Sequence, residues 1–218
     1  MLIKSKKPWP TKAVMQQIYE ANLWGKNGDD FYSGEGSHHP NIVVPYVKVV
    51  SSFLTSFKNP ITICDLGCGD FNIGSQLLSF SKEYFAVDIV PELIEHLKKQ
   101  YPQKEVSFFC LDIAKDELPK ADCVIIRQVL QHLSNKEIKE IVSKLYDYKY
   151  VILTEHLPIG KFEANKDIIS GQGIRLKKKS GLDITKSPFN FKFKKTVVLN
   201  NFDLENNKGK IVTTLFEL

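Results

Sequence analysis

Hydrophobic residues in this chain cluster in blocks whose spacing changes along its length. Residues 11–24, "TKAVMQQIYEANLW", set Val14, Met15, Ile18, Ala21 and Leu23 at helical spacing. Residues 24–39, "WGKNGDDFYSGEGSHH", are rich in glycine, serine and aspartate and predict a loop. Residues 42–57 carry Val43, Val47, Val50, Phe53, Leu54 and Phe57 on one face, a second helix stopped by Asn59 and Pro60. From residue 61 short apolar runs alternate with helical segments. The runs at 61–66, 84–89, 106–113, 121–128 and 150–156 predict five strands. Helices are predicted over 74–80, over 91–101 with Pro91 in the first turn, and over 135–147 with Ser134 as N-cap and Glu137 completing a capping box. The strands are continuous apolar runs, the pattern of a parallel sheet covered on both faces. Residues 157–190 lose all periodicity, and the chain ends in two strand-like runs, 191–202 and 210–218, that predict a hairpin joined by "DLENNKG". The expected fold is α/β: a Rossmann-like, doubly wound, mostly parallel seven-stranded sheet with an antiparallel C-terminal hairpin.

Length and composition narrow this further. At 218 residues the simplest organisation is one domain over 1–218, with a helical and lid segment at 1–58 and a core at 59–218 carrying a substrate-side insertion at 157–190. The formal net charge is +5, and the basic clusters "KKK" at 177–179 and "FKFKKT" lack the aromatic interleaving of a nucleic-acid reader, so no nucleic-acid partner is expected. No apolar run approaches the roughly 18 residues of a membrane span, and the basic start has no apolar stretch behind it, so no membrane partner is expected and the cytoplasm is the expected location. Cys64, Cys68, Cys110 and Cys123 form no CxxC pair and read as reduced thiols packed as small apolar residues. The oligomeric state is open.

The chemistry centres on "ITICDLGCGDFNIG", residues 61–74. An apolar strand runs into a glycine turn, but the third glycine of a dinucleotide fingerprint is replaced by Asn72, and Asp65 and Asp70 add negative charge where a pyrophosphate would sit. A cofactor bearing an ammonium and a sulfonium suits that turn better. "DLGCGD" resembles motif I of the class I S-adenosylmethionine-dependent methyltransferases, with Asp65, Gly67 and Gly69 matching and Phe71 standing where a further glycine often follows. The resemblance implies that Asp65 helps anchor the amino-acid end of S-adenosyl-L-methionine, with S-adenosyl-L-homocysteine as product. Gly67 and Gly69 would pass under the nucleoside, and Asp70 would touch the cofactor or cap the following helix. Asp88, at the end of the second strand, is positioned for the ribose hydroxyls. Asp112, at the end of the third, corresponds to the position that receives the adenine amino group, and Ile89 and Ile113 would sandwich the ring.

The acceptor side is expected above the fourth and fifth strands. The stretch "IIRQVLQHLSN" resembles the region after motif IV of bacterial small-molecule and sugar methyltransferases, and lacks the proline-rich box of enzymes acting on nucleobases. Arg127 stands where metal-dependent relatives carry acidic residues, so no metal is expected. Its partner is open between the cofactor carboxylate, an acidic substrate and a structural carboxylate. His132 is the first candidate general base. His156 and Glu155 end the fifth strand and form a second pair for base and orienter. Tyr32 and His38 of the glycine-rich loop, with Asn165, Asp167 and Arg175 of the insertion, are candidates to contact a polyhydroxyl or phosphorylated acceptor. Together these features resemble methyltransferases associated with surface-glycan gene sets. The expected activity is methyl transfer to oxygen or nitrogen of a polar small molecule, a sugar or glycan-linked metabolite. A protein side-chain methyltransferase and a non-catalytic cofactor-binding module are the alternatives.

Overall fold

The computed structural model describes residues 8–28, 30–102, 105–205 and 208–218. Asp29 of the glycine-rich loop, the start "MLIKSKK" and Asn206 and Asn207 of the hairpin turn lie outside the described residues. Five parallel strands form the core: β1 (Thr62–Leu66), β2 (Glu83–Asp88), β3 (Val106–Cys110), β4 (Cys123–Arg127) and β5 (Tyr150–Leu157). A two-strand ribbon in the insertion, β6 (Glu163–Ala164) and β7 (Ser180–Gly181), stands apart from them. The hairpin strands β8 (Lys195–Asp203) and β9 (Lys210–Glu217) complete the main sheet, in the order β3-β2-β1-β4-β5-β9-β8. β9 lies antiparallel between β5 and β8. The order reverses at β1, so the cleft for a ligand opens beyond the carboxyl ends of β1 and β4.

The helices follow the expected faces with corrected ends. α1 (Thr11–Glu20) buries Met15 and Ile18, but stops before Ala21 and Leu23, which are exposed. Asn22 turns left-handed (φ 51°) and the Leu23 N–H bonds the Ile18 carbonyl, closing the helix. The loop that follows holds one helical turn, α2 (Glu35–His38). α3 (Pro40–Leu54) begins and ends earlier than its spacing predicted, with the His39 ring accepting from the Asn41 N–H and Pro40 in the first turn. α4 (Pro91–Gln100) packs beside β2 and β3, and α5 (Asn135–Lys144) carries the expected capping box.

The segment after β1 departs most from expectation. Instead of a helix over 74–80 it makes two short 3₁₀ turns, Gly74–Gln76 and Leu78–Phe80. Phe71 is the cause. It takes the left-handed conformation (φ 63°) that a glycine at this point would accept freely. In return its buried ring sits edge-on to Tyr84, Tyr101 and Phe108 at 5.6, 5.1 and 5.0 Å. The ring also lies where a side chain on Gly74 would have to go.

Candidate active site

The glycine turn is stitched to the end of β2. The Gly67 and Cys68 N–H groups donate to the Val87 carbonyl at 2.8 and 2.9 Å. Gly69 N–H donates to the Asp88 carboxylate at 3.2 Å, whose other oxygen accepts from Val90 N–H at 3.1 Å. Gly67 has φ 78° and a Cβ there would collide with the branched Val129 side chain, so backbone rather than side chain forms the floor. Asp65 is buried behind the turn and accepts from the Tyr84 hydroxyl at 2.9 Å. Burial raises its pKa to about 7, against the Tyr84 hydrogen bond and the Arg127 charge, which favour the anion. Burial also raises the pKa of Asp88. Beside them opens a cavity of about 450 Å³, within the usual range for small-ligand pockets. Gly67, Gly69, Asp88, Ile89, Asp112 and Ile113 all line it. Asp112 bonds Ala114 N–H at 3.1 Å and Lys115 Nζ at 2.6 Å.

The N-terminal segment covers this floor. Thr11, Met15 and Tyr19 of α1, with Trp24, Ser33, Gly34, Gly36 and Ser37, form the opposite wall. Asp70 fastens it. Its carboxylate accepts from Ser33 N–H at 2.7 Å and pairs with His38 Nε2 at 2.6 Å, while its other oxygen accepts from Asn72 N–H at 3.2 Å. The Asp70 N–H donates to Ser33 Oγ at 2.8 Å, and that hydroxyl also meets Tyr19 Oη at 2.9 Å. Asp70 therefore caps its own turn and holds the lid, and does not itself line the cavity. Arg127, at the end of β4, donates to the Gly36 carbonyl and to Ser37 Oγ, and stacks over Tyr46 with its carbon 4.8 Å from the ring centre. Its Nε is buried with no partner, and no carboxylate hydrogen-bonds the guanidinium.

The far end of the cavity is built by the turn after β4 and by the insertion. Trp24, Gln131, His132, Gln172, Ile174 and Lys177 line it. His132 Nδ1 sits 3.1 Å from the Gly171 carbonyl, so the proton is assigned to Nδ1. Its Nε2 lies 3.3 Å from the Gln131 amide nitrogen. That assignment follows from the Gln131 Oε1, which accepts from His156 N–H at 2.9 Å. Burial lowers the His132 pKa to about 4, against the carbonyls of the insertion, so the ring is neutral at pH 7.

Several expected site residues stand elsewhere. Arg175 is 2% exposed and acts as a clamp. It donates to the carbonyls of Leu130, Gln131, Leu133 and Lys166 and to Asn135 Oδ1, pinning the insertion to the turn that carries His132. Asn165 is left-handed and holds Asp183 and Ser187 backbone, and Asp167 accepts from the Asn135 and Ile168 N–H groups. These polar side chains have backbone partners, which is why they do not face the cavity. His156 points to the Lys208 carbonyl at 2.7 Å, away from His132. Glu155 is buried beneath the turn with neither oxygen hydrogen-bonded, and burial raises its pKa to about 8 while the nearby Arg175 charge opposes the rise. Tyr32 stacks on His38 with ring centres 4.4 Å apart and donates to Glu35 at 2.8 Å, on the outer side of the lid. Phe31 packs on Tyr19 and His96. Tyr19, Trp24, Gln131 and Lys177 line the cavity and were not singled out in the sequence. Tyr19 and Trp24 lie in the predicted helix and loop, Lys177 in the basic cluster and Gln131 beside His132, but nothing in their local pattern marks them as cavity residues. Among the described residues no group of three or more His, Cys, Asp or Glu is placed to hold a metal.

A family model described as "Methyltransferase domain" matches residues 63–148, the span from β1 to the turn after α5. The chain is 35% identical over 77 residues to malonyl-[acyl-carrier protein] O-methyltransferase of Acetivibrio thermocellus, a match covering 34% of this chain and 27% of that relative. The chain thus aligns with about a quarter of the curated relative's length. Among solved structures, N-methyltransferase NodS from Bradyrhizobium japonicum WM9 with S-adenosyl-L-homocysteine superposes with TM-score 0.68 at 12% identity, over 94% of this chain and 98% of that one. Magnesium protoporphyrin IX methyltransferase from Synechocystis PCC 6803 with bound SAM superposes with TM-score 0.60 at 16% identity, over 98% and 100%. The fold is that of these methyltransferases of known structure, and residues 63–148 are the part that matches the methyltransferase-domain model. The relatives are named for different acceptors.

Proposed function

We propose that this chain, a class I methyltransferase by domain and fold, binds S-adenosylmethionine and methylates an oxygen or nitrogen of a polar small molecule, a sugar or glycan-linked metabolite. The observation that carries the reading is the row of Asp88, Ile89, Asp112 and Ile113 at successive strand ends beside a glycine turn with a backbone floor. The donor set fits the cofactor. Each Asp88 oxygen keeps a free lone pair for a ribose hydroxyl after its one backbone bond. Ile89 and Ile113 supply apolar walls for a base, and the Arg127 charge at the cavity wall, with no carboxylate hydrogen-bonded to it among the described residues, suits the amino-acid carboxylate. A pyrophosphate fits poorly, because only 3₁₀ turns follow the glycines and no α-helix N-terminus faces them.

When bound, the cofactor supplies an electrophilic methyl group. The chain's part is to orient and to exclude water. The lid held by Asp70 closes one side, and the insertion held by Arg175 closes the other. A cavity walled by both supports a small acceptor over a peptide or nucleic acid. No helix among the described residues is long and apolar enough to cross a membrane, and reduced cysteines support a cytoplasmic setting. The whole chain is read as one domain with a lid over 1–58 and an insertion over 157–190.

Calorimetry with S-adenosylhomocysteine tests the cofactor site. Asp88→Asn removes the charge that receives the ribose hydroxyls, so Kd should rise roughly tenfold, the worth of one charged hydrogen bond. An unchanged Kd would remove Asp88 from the site. Tritiated-methyl transfer over nucleotide sugars, oligosaccharides and peptides tests the acceptor class, and tight binding without transfer to any of them would favour a non-catalytic module.

A further inference from the structure

The acceptor end of the cavity is rich in donors and has no free proton acceptor. Apart from Cys68, Asp88 and Asp112 on the cofactor floor, the cavity's ionisable side chains are Tyr19, Arg127, His132, Glu137 and Lys177, and the Tyr19 hydroxyl is held to Ser33 Oγ and kept protonated by burial. The Glu137 carboxylate is already taken up by Ser134 N–H and by the hydroxyls of Ser134, Ser170 and Thr11. His132 has one lone pair, on Nε2, and the Gln131 amide covers it. The ring is also a weak proton acceptor, since burial beside Trp24, with the Arg175 charge adding to it, outweighs the insertion carbonyls and favours the neutral form. The other carboxylates nearby, Asp65 and Glu155, are buried outside the cavity lining, and His156 is turned to Lys208. Against this stand two cations with unused capacity. Arg127 lines the cavity with no carboxylate hydrogen-bonded to its guanidinium among the described residues, its unpartnered Nε being buried, and exposed Lys177 makes no hydrogen bond or ion pair among them.

A hydroxyl acceptor loses a proton on methylation, and an ammonium must lose one before its nitrogen can attack, so a base in the site favours both. An ammonium would also approach Arg127 and Lys177 against their charge. An oxygen that already carries its negative charge meets neither obstacle. We propose that the methyl acceptor is a carboxylate of the sugar-like substrate, drawn in by Lys177 and Arg127, and that the product is a methyl ester. This deepens, and rests on, the methyltransferase reading. In the transfer a carboxylate oxygen forms the new O–CH₃ bond, the S–CH₃ bond breaks with its electron pair passing to sulfur, and no proton moves. Arg127 has two sources of carboxylate to serve, the cofactor and the acceptor, whereas Lys177 lies on the insertion side.

The test uses the full chain with glucuronate and galacturonate, set against glucose, galactose and glucosamine. Tritiated methyl should pass to the uronates alone and be released as methanol by mild alkali, with a rate nearly flat from pH 6.5 to 8.5. Titrated into the protein–S-adenosylhomocysteine complex, glucuronate should bind at least tenfold tighter than glucose. Lys177→Glu, at an exposed position, should abolish that preference while S-adenosylhomocysteine affinity holds, and Lys177→Arg should restore it. Arg127→Gln separates the two carboxylates: a weakened homocysteine complex assigns it to the cofactor, a weakened glucuronate affinity alone to the acceptor. An alkali-stable methyl product, equal binding of glucuronate and glucose, or no transfer to either uronate overturns the proposal. Failure of the underlying reading shows separately, as no binding of S-adenosylhomocysteine.

Discussion

At the scale of single residues, Asp70 carries more of the site than its place after the glycine turn suggests. One carboxylate receives Ser33 N–H, His38 and Asn72 N–H, so it ties two distant stretches of the lid to the floor. Hydrogen bonds to a charged acceptor are each worth about 1.5–3 kcal/mol. Asp70→Ala should therefore raise amide exchange at residues 31–38 by tenfold or more while β1 and β4 keep their protection. Hydrogen–deuterium exchange of the unliganded chain checks this, and equal exchange in both proteins would mean the lid is held by packing alone. That Asp88 and Asp112 come to line the cavity is legible because a strand end is marked locally, where an apolar run stops. It leaves Asp70 ambiguous because its partners sit more than 30 residues away. Asn165, Asp167 and Arg175 mislead for the same reason: a polar side chain in an irregular segment looks available until the backbone groups it satisfies are known.

Among elements, the features written within a few residues are the ones the pattern reveals. The capping box of α5 is one, with Ser134 Oγ and Glu137 Oε2 2.5 Å apart. The absent helix after β1 is the converse, since the aromatic cluster that holds Phe71 comes from β2, α4's end and β3. Glu137 joins the local and the distant. It also receives the hydroxyls of Thr11, at the start of α1, and of Ser170 in the insertion. Burial opposes its ionisation, but these hydroxyls outweigh it and hold its pKa below the ordinary value. Ser134→Ala removes a cap and should cost about 1 kcal/mol, a fall in Tm of roughly 2–4 °C. Glu137→Ala should cost more and, unlike Ser134→Ala, should speed amide exchange across residues 11–20. Thermal melts with exchange on both variants separate the two roles, and the same exchange profile in each would reduce Glu137 to a helix cap.

For the molecule as a whole, the β3-β2-β1-β4-β5-β9-β8 order buries the sheet's centre, and three acids at its upper edge lose their solvation with it. Burial raises Asp65 to about 7 and Glu155 to about 8, and raises Asp88 as well. The unfolded chain ionises these groups near their ordinary values, so it binds fewer protons than the folded chain between about pH 4.5 and 8. Stability from these acids is complete below that window and is lost as pH rises through it. His132 works the other way, because burial lowers it to about 4 and stability is lost as pH falls from about 6.5 toward that value. Between about pH 4.5 and 6.5 the raised acids outnumber the one histidine, so the unliganded chain should be most stable near pH 4.5–5 and weaken toward pH 8.5. Glu155 dominates the upper part of that decline, since burial raises it to about 8, above Asp65, against the Arg175 charge and the nearby Gln131 and Leu130 backbone. Glu155→Gln keeps the shape and cannot ionise. It should match the wild type near pH 4.5 and exceed it progressively as pH rises to 8.5, by at least about 1–2 kcal/mol, the usual penalty for an unpaired buried polar group. Denaturant titrations across pH read this difference directly. Parallel curves for the two proteins would show that Glu155 ionises without cost, and that Arg175, 20 residues along the chain, compensates its charge in full.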